Sequence, residues 1–186
     1  MSLTLKVGCM FSGKTSEIIR IVNRLSVIDK DILLINSSLD DRYVKNSICS
    51  HNQNKIDCIS VKKLEDIKTD QYTKCEYIII DEAQFFEDLY DFVTVAVDIN
   101  HKHVIIVGLN GDSNRENFGE IYKLYPLADK IDLLTALCSI CKDGSKAIFS
   151  KKIVENDKQT DIGSVDIGSV DKYIPVCRKC FNNSHV

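Results

Sequence analysis

The sequence predicts an α/β fold: a doubly wound parallel sheet followed by a small C-terminal part that binds a metal. Short, continuously apolar runs alternate with stretches of helical periodicity, as expected when crossover helices bury a parallel sheet on both faces. A glycine-containing loop follows the first apolar run, and beyond residue 135 the chain becomes polar and carries two Cys-x-x-Cys pairs. We therefore expect two domains, 1–135 and 136–186, with ligands at the carboxyl ends of the strands.

The first predicted strand, residues 3–7, leads into a loop with the spacing Gly, four residues, Gly-Lys-Thr. Residues 16–28 then continue as an amphipathic helix. This context is typical of a P-loop, whose backbone N–H groups and helix N-terminus point at a nucleotide phosphate. The alternative is a glycine turn with a solvated lysine. Lys14 would reach the outer phosphates and the Thr15 hydroxyl would bind magnesium. The predicted phosphate-binding residues are Gly8, Cys9, Met10, Phe11, Ser12, Gly13, Lys14 and Thr15.

The rest of the first domain is predicted from further apolar runs and from the residues that interrupt them. Runs of four apolar residues indicate strands that are buried on both faces. Pro126 should end a short helix, because it lacks the N–H that a helix interior needs. The predicted elements are strands at 32–35, 56–61, 77–80, 103–109 and 130–134, a long helix at 85–99 and short helices at 62–67 and 119–125.

Acidic residues follow the strand predicted at 77–80. Asp81 would lie beside the P-loop, where a magnesium ion needs an anionic or water-mediated partner. Glu82 projects differently and suits the orientation or deprotonation of an attacking oxygen. The alternative is a solvated acidic strand end. Arg42, in the run Asp-Asp-Arg-Tyr at 40–43, could stabilise charge on a transferred phosphoryl group; a surface turn with a local ion pair is an equally good reading.

Two pairs of cysteines predict a structural zinc site. Four thiolates suit tetrahedral zinc and leave no open coordination position, as in a zinc ribbon. The alternative is a pair of redox dithiols, but neither pair has the βαβ context of such motifs. The long segment between the pairs, tied at both ends, could serve as a lid. The proposed zinc ligands are Cys138, Cys141, Cys177 and Cys180.

Charge and hydropathy restrict the partners and the location. With a net charge of −3 the chain has no basic field for a nucleic-acid backbone, so we expect no nucleic-acid partner. No apolar run approaches the roughly 20 residues of a membrane span, and no signal peptide is recognisable. Scattered and paired thiols fit a reducing compartment. We expect a cytoplasmic protein without a membrane partner.

Taken together, these blocks resemble the zinc-containing thymidine kinases found in vertebrate cytosol, many bacteria and large DNA viruses. The resemblance covers about residues 7–181. Its most specific parts are Asp-Glu-Ala-Gln-Phe-Phe at 81–86 and Asp-Lys-Tyr at 171–173, the latter followed by Cys-Arg-Lys-Cys at 177–180. It implies transfer of the γ-phosphate of ATP to the 5′-hydroxyl of thymidine. It also implies a homotetramer, feedback inhibition by thymidine triphosphate and, for a viral enzyme, a host cytoplasm.

The resemblance also implies roles for individual residues. Glu82 would be the general base that takes the proton from the 5′-hydroxyl. Lys14 and Arg42 would lie near the phosphoryl groups, and the magnesium ion near Asp40 and Asp81. The segment between the cysteine pairs resembles a lasso that closes over the base and binds it through backbone atoms. The residues implied around the nucleoside are Met10, Phe85, Leu109, Phe118, Thr135, Gly168 and Tyr173.

The chain departs from the family pattern in three places. Ser113 stands where an aromatic residue is usual, which would loosen stacking on the base or base selectivity. The lasso begins with Phe-Ser-Lys-Lys at 149–152, where Tyr-Thr-x-Arg is usual. A duplicated Asp-Ile-Gly-Ser-Val at 161–170 gives two registers, and the spacing to Tyr173 favours Gly168 over Gly163.

Two other functions fit parts of the pattern. One is a P-loop ATPase in which Glu82 activates water. The other is a zinc-ribbon binding module with a degenerate nucleotide fold, which the intact Gly-Lys-Thr and Asp-Glu motifs count against. Release of ADP that depends on thymidine would distinguish the kinase from both.

Overall fold

The computed structural model, which describes residues 1–39, 47–49, 55–153 and 172–183, is built around a six-stranded parallel sheet. Short antiparallel pairs of strands accompany this sheet. In chain order, the strands and α-helices are β1 (Ser2–Gly8), α1 (Lys14–Ser26), β2 (Ile32–Ser37), β3 (Ser47–Cys49), β4 (Lys55–Asp57), β5 (Ile59–Val61), α2 (Thr69–Lys74), β6 (Tyr77–Ile80), α3 (Leu89–Thr94), β7 (His103–Gly108), β8 (Lys130–Leu134), β9 (Ala136–Leu137), β10 (Lys146–Ala147), β11 (Phe149–Lys152), β12 (Tyr173–Val176) and α4 (Arg178–Asn182).

The strand order of the sheet is β5-β2-β6-β7-β1-β8, and every pair in it is parallel. Parallel strands all end at the same edge of a sheet, so the loops after β6, β7, β1 and β8 are neighbours there. The predicted α/β fold with a parallel sheet is confirmed. Among the described residues, no helix is long and apolar enough to cross a bilayer.

Alternate residues of β2, β6 and β7 enter two hydrophobic clusters, one on each face of the sheet. Ile79 of β6 packs in the cluster that contains Ile18 of α1. Ile78 and Ile80 point the other way and pack in the cluster that contains Val93 of α3. Because burying one such side chain stabilises the fold by about 1.5–3 kcal/mol, two covered faces fix the strand register. This explains why the strands read as unbroken apolar runs.

The helix predicted at 85–99 is divided in the structure. A 3-10 turn, Ala83–Phe85, follows Glu82, and α3 begins only at Leu89. The helix then continues as a π-helical segment, Val95–Ile99. Apolar periodicity alone cannot separate the 3-10 turn from α3, because Phe86, which directly follows the turn, is itself buried in the core.

Three other local predictions differ from the structure. Pro126 does not stop a helix but lies inside a 3-10 helix, Ile121–Leu127, where the nearby backbone hydrogen bonds are donated by Lys123 and Ala128 and do not need the missing N–H. The strand predicted at 56–61 is interrupted at Cys58, so that β4 pairs with β3 while β5 joins the main sheet. The short helix predicted at 62–67 is a 3-10 turn, Leu64–Asp66, and α2 was not predicted.

A buried lysine connects the P-loop strand to its neighbours. Lys6 of β1 is buried, and its Nζ lies 2.8 Å from Oε1 of Glu17 in α1 and 2.6 Å from Oδ2 of Asp132 in β8. Glu17 also accepts hydrogen bonds from Arg20 at 2.6 and 2.7 Å. The bonds from Arg20 and then from Lys6 lower the pKa of Glu17 from 4.5 to about 2, against an opposing effect of burial. The network holds α1 and β8 against β1.

We expect Glu17→Gln to destabilise the fold in a pH-dependent way. The folded pKa of about 2 lies below the ordinary 4.5, so the ionised carboxylate stabilises the fold above the higher value. That stabilisation is lost as the pH falls towards the lower value. Urea unfolding should show that the variant has a free energy of unfolding about 1 kcal/mol lower than the wild type at neutral pH, a value already discounted for solvent screening. This difference should shrink as the pH falls towards ~3. As a control, Glu65→Gln alters an exposed ion pair with Lys63 and should change little. A deficit that is the same at every pH would contradict this assignment.

Candidate active site

The predicted P-loop is wound tightly between β1 and α1. Phe11 and Gly13 adopt left-handed backbone conformations, with φ of 63° and 84°. A Cβ on Gly8 would lie 2.4 Å from the carbonyl oxygen of Leu134 and 2.6 Å from Oγ of Ser12. Only glycine fits there, because such contacts are far shorter than packed atoms allow. The close approach of the loop to β8 therefore explains the first glycine of the motif.

Polar groups converge inside this loop. Nζ of Lys14 is buried and donates hydrogen bonds to the carbonyl oxygens of Cys9, at 2.9 Å, and Gly8, at 3.3 Å. Oγ of Ser12 is buried and has no hydrogen-bond partner among the described residues. Thr15 follows in the first turn of α1, whose N-terminus faces the loop. A buried ammonium, an unsatisfied hydroxyl and a helix N-terminus together fit a phosphate group.

Asp81 and Glu82 lie at the same edge of the sheet, directly after β6. Asp81 is buried; its N–H donates to the carbonyl oxygen of Ile35, and its Oδ1 accepts from the N–H of Glu82 at 2.9 Å. Glu82 is only 8% exposed, and its φ of 48° is left-handed. Such a backbone costs of order 1–3 kcal/mol in a residue with a side chain, and strain of this kind gathers at functional sites. The structure thus supports a special role for Glu82.

Gln84 holds the carboxylate of Glu82 in place. Its Nε2 donates to Oε2 of Glu82 at 2.6 Å, and its Oε1 accepts from the N–H of Leu109, the residue after β7, at 3.1 Å. Its carbonyl oxygen packs so closely on Gly119 that a Cβ there would lie 2.1 Å away. The sequence analysis did not predict this role, because it included Gln84 only as part of the family motif at residues 81–86. An amide two residues after a carboxylate has no spacing signal of its own.

Several predicted nucleoside contacts lie along the same edge. The rings of Phe85 and Phe118 pack edge to face, with centroids 5.5 Å apart. Leu109, Met10 and Thr135 are half-buried and follow β7, β1 and β8. The sheet order therefore arranges Phe85, Leu109, Met10 and Thr135 in this sequence from β6 to β8. Phe85, Leu109 and Met10 give this edge apolar side chains, and we refer to these three residues together with Thr135 as the apolar wall.

The remaining predicted residues divide into two groups. Tyr173 is half-buried at the start of β12, where it pairs with Lys152 of β11. Asp40, Arg42 and Gly168 lie outside the described residues.

A cleft of about 290 Å³ opens between the loop after β7 and β11. Asn110 crosses it at one end, donating from Nδ2 to the carbonyl oxygen of Ile148 at 3.2 Å. The polar and aromatic residues that line the cleft include Asp112, Arg115, Phe149 and Ser150.

The four predicted zinc ligands come together. The Sγ atoms of Cys138, Cys141, Cys177 and Cys180 all lie within 4.8 Å of one another. Tetrahedral zinc with bonds of ~2.3 Å would hold its sulfurs about 3.8 Å apart, so the cluster needs only a small contraction to bind it. Each pair forms a tight turn: the N–H of Lys142 donates to the carbonyl oxygen of Cys138, and the N–H of Cys180 to Sγ of Cys177.

The thiols of the cluster differ in acidity. Burial raises the pKa of Cys138, but the backbone N–H groups of Cys141, Cys177 and Ile140 outweigh it and lower the value to about 6. Burial and hydrogen bonds among the thiols raise the pKa of Cys180 to about 12. The Cys138 thiolate thus forms readily, whereas ionisation of Cys180 needs a nearby cation. This donor set fits a divalent metal such as zinc.

Comparison with known proteins gives one consistent family. The family model described as thymidine kinase matches residues 1–181. Thymidine kinase a of Arabidopsis thaliana is 37% identical over 184 residues, which are 97% of this chain and 74% of that protein. The thymidine kinase of Amsacta moorei entomopoxvirus is 38% identical over 195 residues, with both chains covered in full. Thymidine kinase 1 of Dictyostelium discoideum is 40% identical over 180 residues, 95% of this chain and 75% of that protein.

Proposed function

The chain belongs to the thymidine kinase family, and we propose that its P-loop and the Asp81–Glu82 pair phosphorylate thymidine from ATP and magnesium in nucleoside salvage. The observation that carries this proposal is the position of two buried carboxylates at the sheet edge that also carries the P-loop. The alternatives of a P-loop ATPase and a zinc-ribbon binding module lose their support. The thymidine kinase model matches residues 1–181 and so includes both the P-loop and the two cysteine pairs.

The P-loop and its lysine would bind the donor. Lys14 and the backbone N–H groups of residues 8–15 would hold the ATP phosphates, with Ser12 completing its hydrogen bonding there. Asp81 and the Thr15 hydroxyl would hold magnesium, which neutralises phosphate charge when bound. Asp40 and Arg42 belong to this proposal on the family resemblance alone.

Glu82 would act as the general base. Phosphoryl transfer needs an acceptor oxygen held in line with the γ-phosphate and a group that takes its proton. A buried carboxylate whose position is fixed by Gln84 meets the second requirement, since it cannot turn away from the acceptor. The 5′-hydroxyl of thymidine would thus pass its proton to Glu82.

The apolar wall would receive the thymine base. The packed rings of Phe85 and Phe118 offer an aromatic surface. Leu109, Met10 and Thr135 follow neighbouring strands at the same edge of the sheet. Tyr173 would contact the deoxyribose, and the backbone around Gly168 the base. Ser113 is half-buried in the loop after β7, where the family usually has an aromatic residue, so the pocket would be less closely packed on that side.

Replacing Glu82 by glutamine should slow catalysis strongly but leave nucleotide binding intact. We expect kcat to fall at least about 100-fold, because the amide cannot accept the proton. The assay is chromatographic detection of thymidine monophosphate and ADP, and wild-type ADP release should require thymidine. The matched control is Glu87→Gln at an exposed position of the same loop. Near-normal turnover of Glu82→Gln would remove it from the role of base, and ADP release without thymidine would favour the ATPase.

We also propose that the cysteine cluster holds a structural zinc ion, and that the protein works in a cytoplasm, where its thiols stay reduced. Cys177→Ser should lower both zinc content and melting temperature, because structural zinc contributes folding free energy. Elemental analysis and thermal unfolding measure the two effects. Cys75→Ser serves as the control, since Cys75 is buried outside the cluster and its Sγ donates to the carbonyl oxygen of Tyr72, as a hydroxyl also could. Full stability without bound metal would refute the zinc assignment.

The homotetramer and its inhibition by thymidine triphosphate remain proposals from the family resemblance. An exposed apolar patch on the edge strand β8 supports self-association: Ile131 is 45% and Leu133 57% exposed. Light scattering should give four times the mass of one chain, and Leu133→Lys should lower it if β8 lies in an interface. A wild-type monomer would contradict the tetramer. Unchanged thymidine phosphorylation when thymidine triphosphate is added would contradict the inhibition.

A further inference from the structure

The start of the P-loop is attached to the C-terminal part of the chain. Cys9 is fully buried, and its Sγ donates to the carbonyl oxygen of Ala147 in β10 at 3.4 Å. The N–H of the next residue, Met10, donates to Oγ of Ser150 in β11 at 3.0 Å. Ser150 is 5% exposed, so little water competes for its hydroxyl. Two consecutive P-loop residues thus depend on one strand segment, 146–152.

That strand segment is in turn held by the cysteine cluster. Ser150 lies opposite Pro175 in the antiparallel pair of β11 and β12, and β12 leads directly to Cys177. Before β10, the N–H of Cys138 donates to the carbonyl oxygen of Ser145 at 2.9 Å. Cys9 packs in the same hydrophobic cluster as Cys138 and Cys180. The position of β11 therefore follows the position of the two cysteine pairs.

The P-loop needs such an anchor. Phe11 has a left-handed backbone, which is strained in a residue with a side chain, so the loop conformation is easy to lose unless neighbouring contacts fix it. Without the hydroxyl of Ser150, the N–H of Met10 would lack this acceptor. The loop would then shift to give the N–H another hydrogen-bond partner, and the phosphate-binding geometry would be lost. Since ATP binding requires the ordered loop, its affinity would fall with the fraction of molecules in which the loop is ordered.

We propose that Ser150 is a positioning residue for the P-loop, through which the cysteine-bound strands β11 and β12 set the affinity of the loop for ATP. This proposal concerns the same site as the proposed kinase function, and it depends on that function for the identification of the nucleotide as ATP. Ser150 also lines the cleft after β7, so its hydroxyl has a second possible role as a direct contact to the nucleoside. The kinetic constants for the two substrates separate these roles.

The test uses three substitutions in the full-length protein. Ser150→Ala removes the hydroxyl. Ser150→Thr and Ser150→Val form a matched pair, because the two side chains have nearly the same shape and differ in the acceptor. We expect the alanine and valine variants to raise KM for ATP and Kd for a non-hydrolysable ATP analogue about tenfold, or about 1.4 kcal/mol. KM for thymidine should stay within about twofold, and the threonine variant should bind ATP as the wild type does.

Two further measurements distinguish positioning from general damage. Zinc content should match the wild type in all three variants, and the threonine variant should also keep the wild-type melting temperature. Amide exchange of a peptide that covers residues 8–15 should accelerate in the alanine and valine variants and not in the threonine variant.

Several results would overturn the proposal. Unchanged affinity for the ATP analogue in the alanine and valine variants would do so, and so would equal losses in the threonine and valine variants. A change in KM for thymidine alone would make Ser150 a nucleoside contact instead. If the wild type failed to phosphorylate thymidine, the kinase function would fail, but binding of the ATP analogue and amide exchange would still decide the role of Ser150.

Discussion

The parallel pairing of β6, β7, β1 and β8 is the constraint on which the site depends. These strands end together, so the P-loop, the two carboxylates and the apolar wall meet although they are far apart in the sequence. The pairing is held by side chains buried on both faces and, at β1, by the ion pairs of Lys6 with α1 and β8. A slip of one residue would turn Lys6 towards the other, apolar face. The electrostatic network and the hydrophobic clusters therefore enforce the same register.

Within this frame, the site is held in conformations that an isolated chain would avoid. Phe11 and Glu82 have φ of 63° and 48°, values that residues with a side chain rarely adopt. Strained backbone persists only where neighbours over-determine it. Here the neighbours are Gly8, which lets β8 approach the P-loop, and Gln84, which links Glu82 to the end of β7. Groups that are already in place need no reorganisation when substrates bind, and this is the main protein contribution to phosphoryl transfer.

The parts of the fold that follow from local pattern could be predicted, and those that depend on distant contacts could not. The bounds of β6 and β8 and the clustering of the four cysteines were correct, because apolar runs and the Cys-x-x-Cys spacing are local signals. The division of the 85–99 helix was missed, because Phe85 and Phe86 continue its apolar pattern. Cys9 was predicted only as a member of the P-loop, yet its Sγ donates to the carbonyl oxygen of Ala147, 138 residues away. No local pattern records such a contact, nor the hydrogen bond that the side-chain amide of Gln84 donates to Glu82.

The link between Cys9, Met10 and the cysteine-bound strands changes what the C-terminal part contributes to the enzyme. A zinc ribbon whose only role was to close a loop would not need to contact the P-loop. Here the small cluster around Cys138 and Cys180 includes a P-loop residue, and β11 faces the cleft beside it. The pairing of Lys152 with Tyr173 also brings together the two chain ends on either side of residues 153–172. The P-loop and the start of the proposed lasso are thus both supported by β11 and β12. A disturbance of these strands should therefore weaken the binding of both ATP and the nucleoside. Loss of the Ser150 hydroxyl alone should weaken only the binding of ATP.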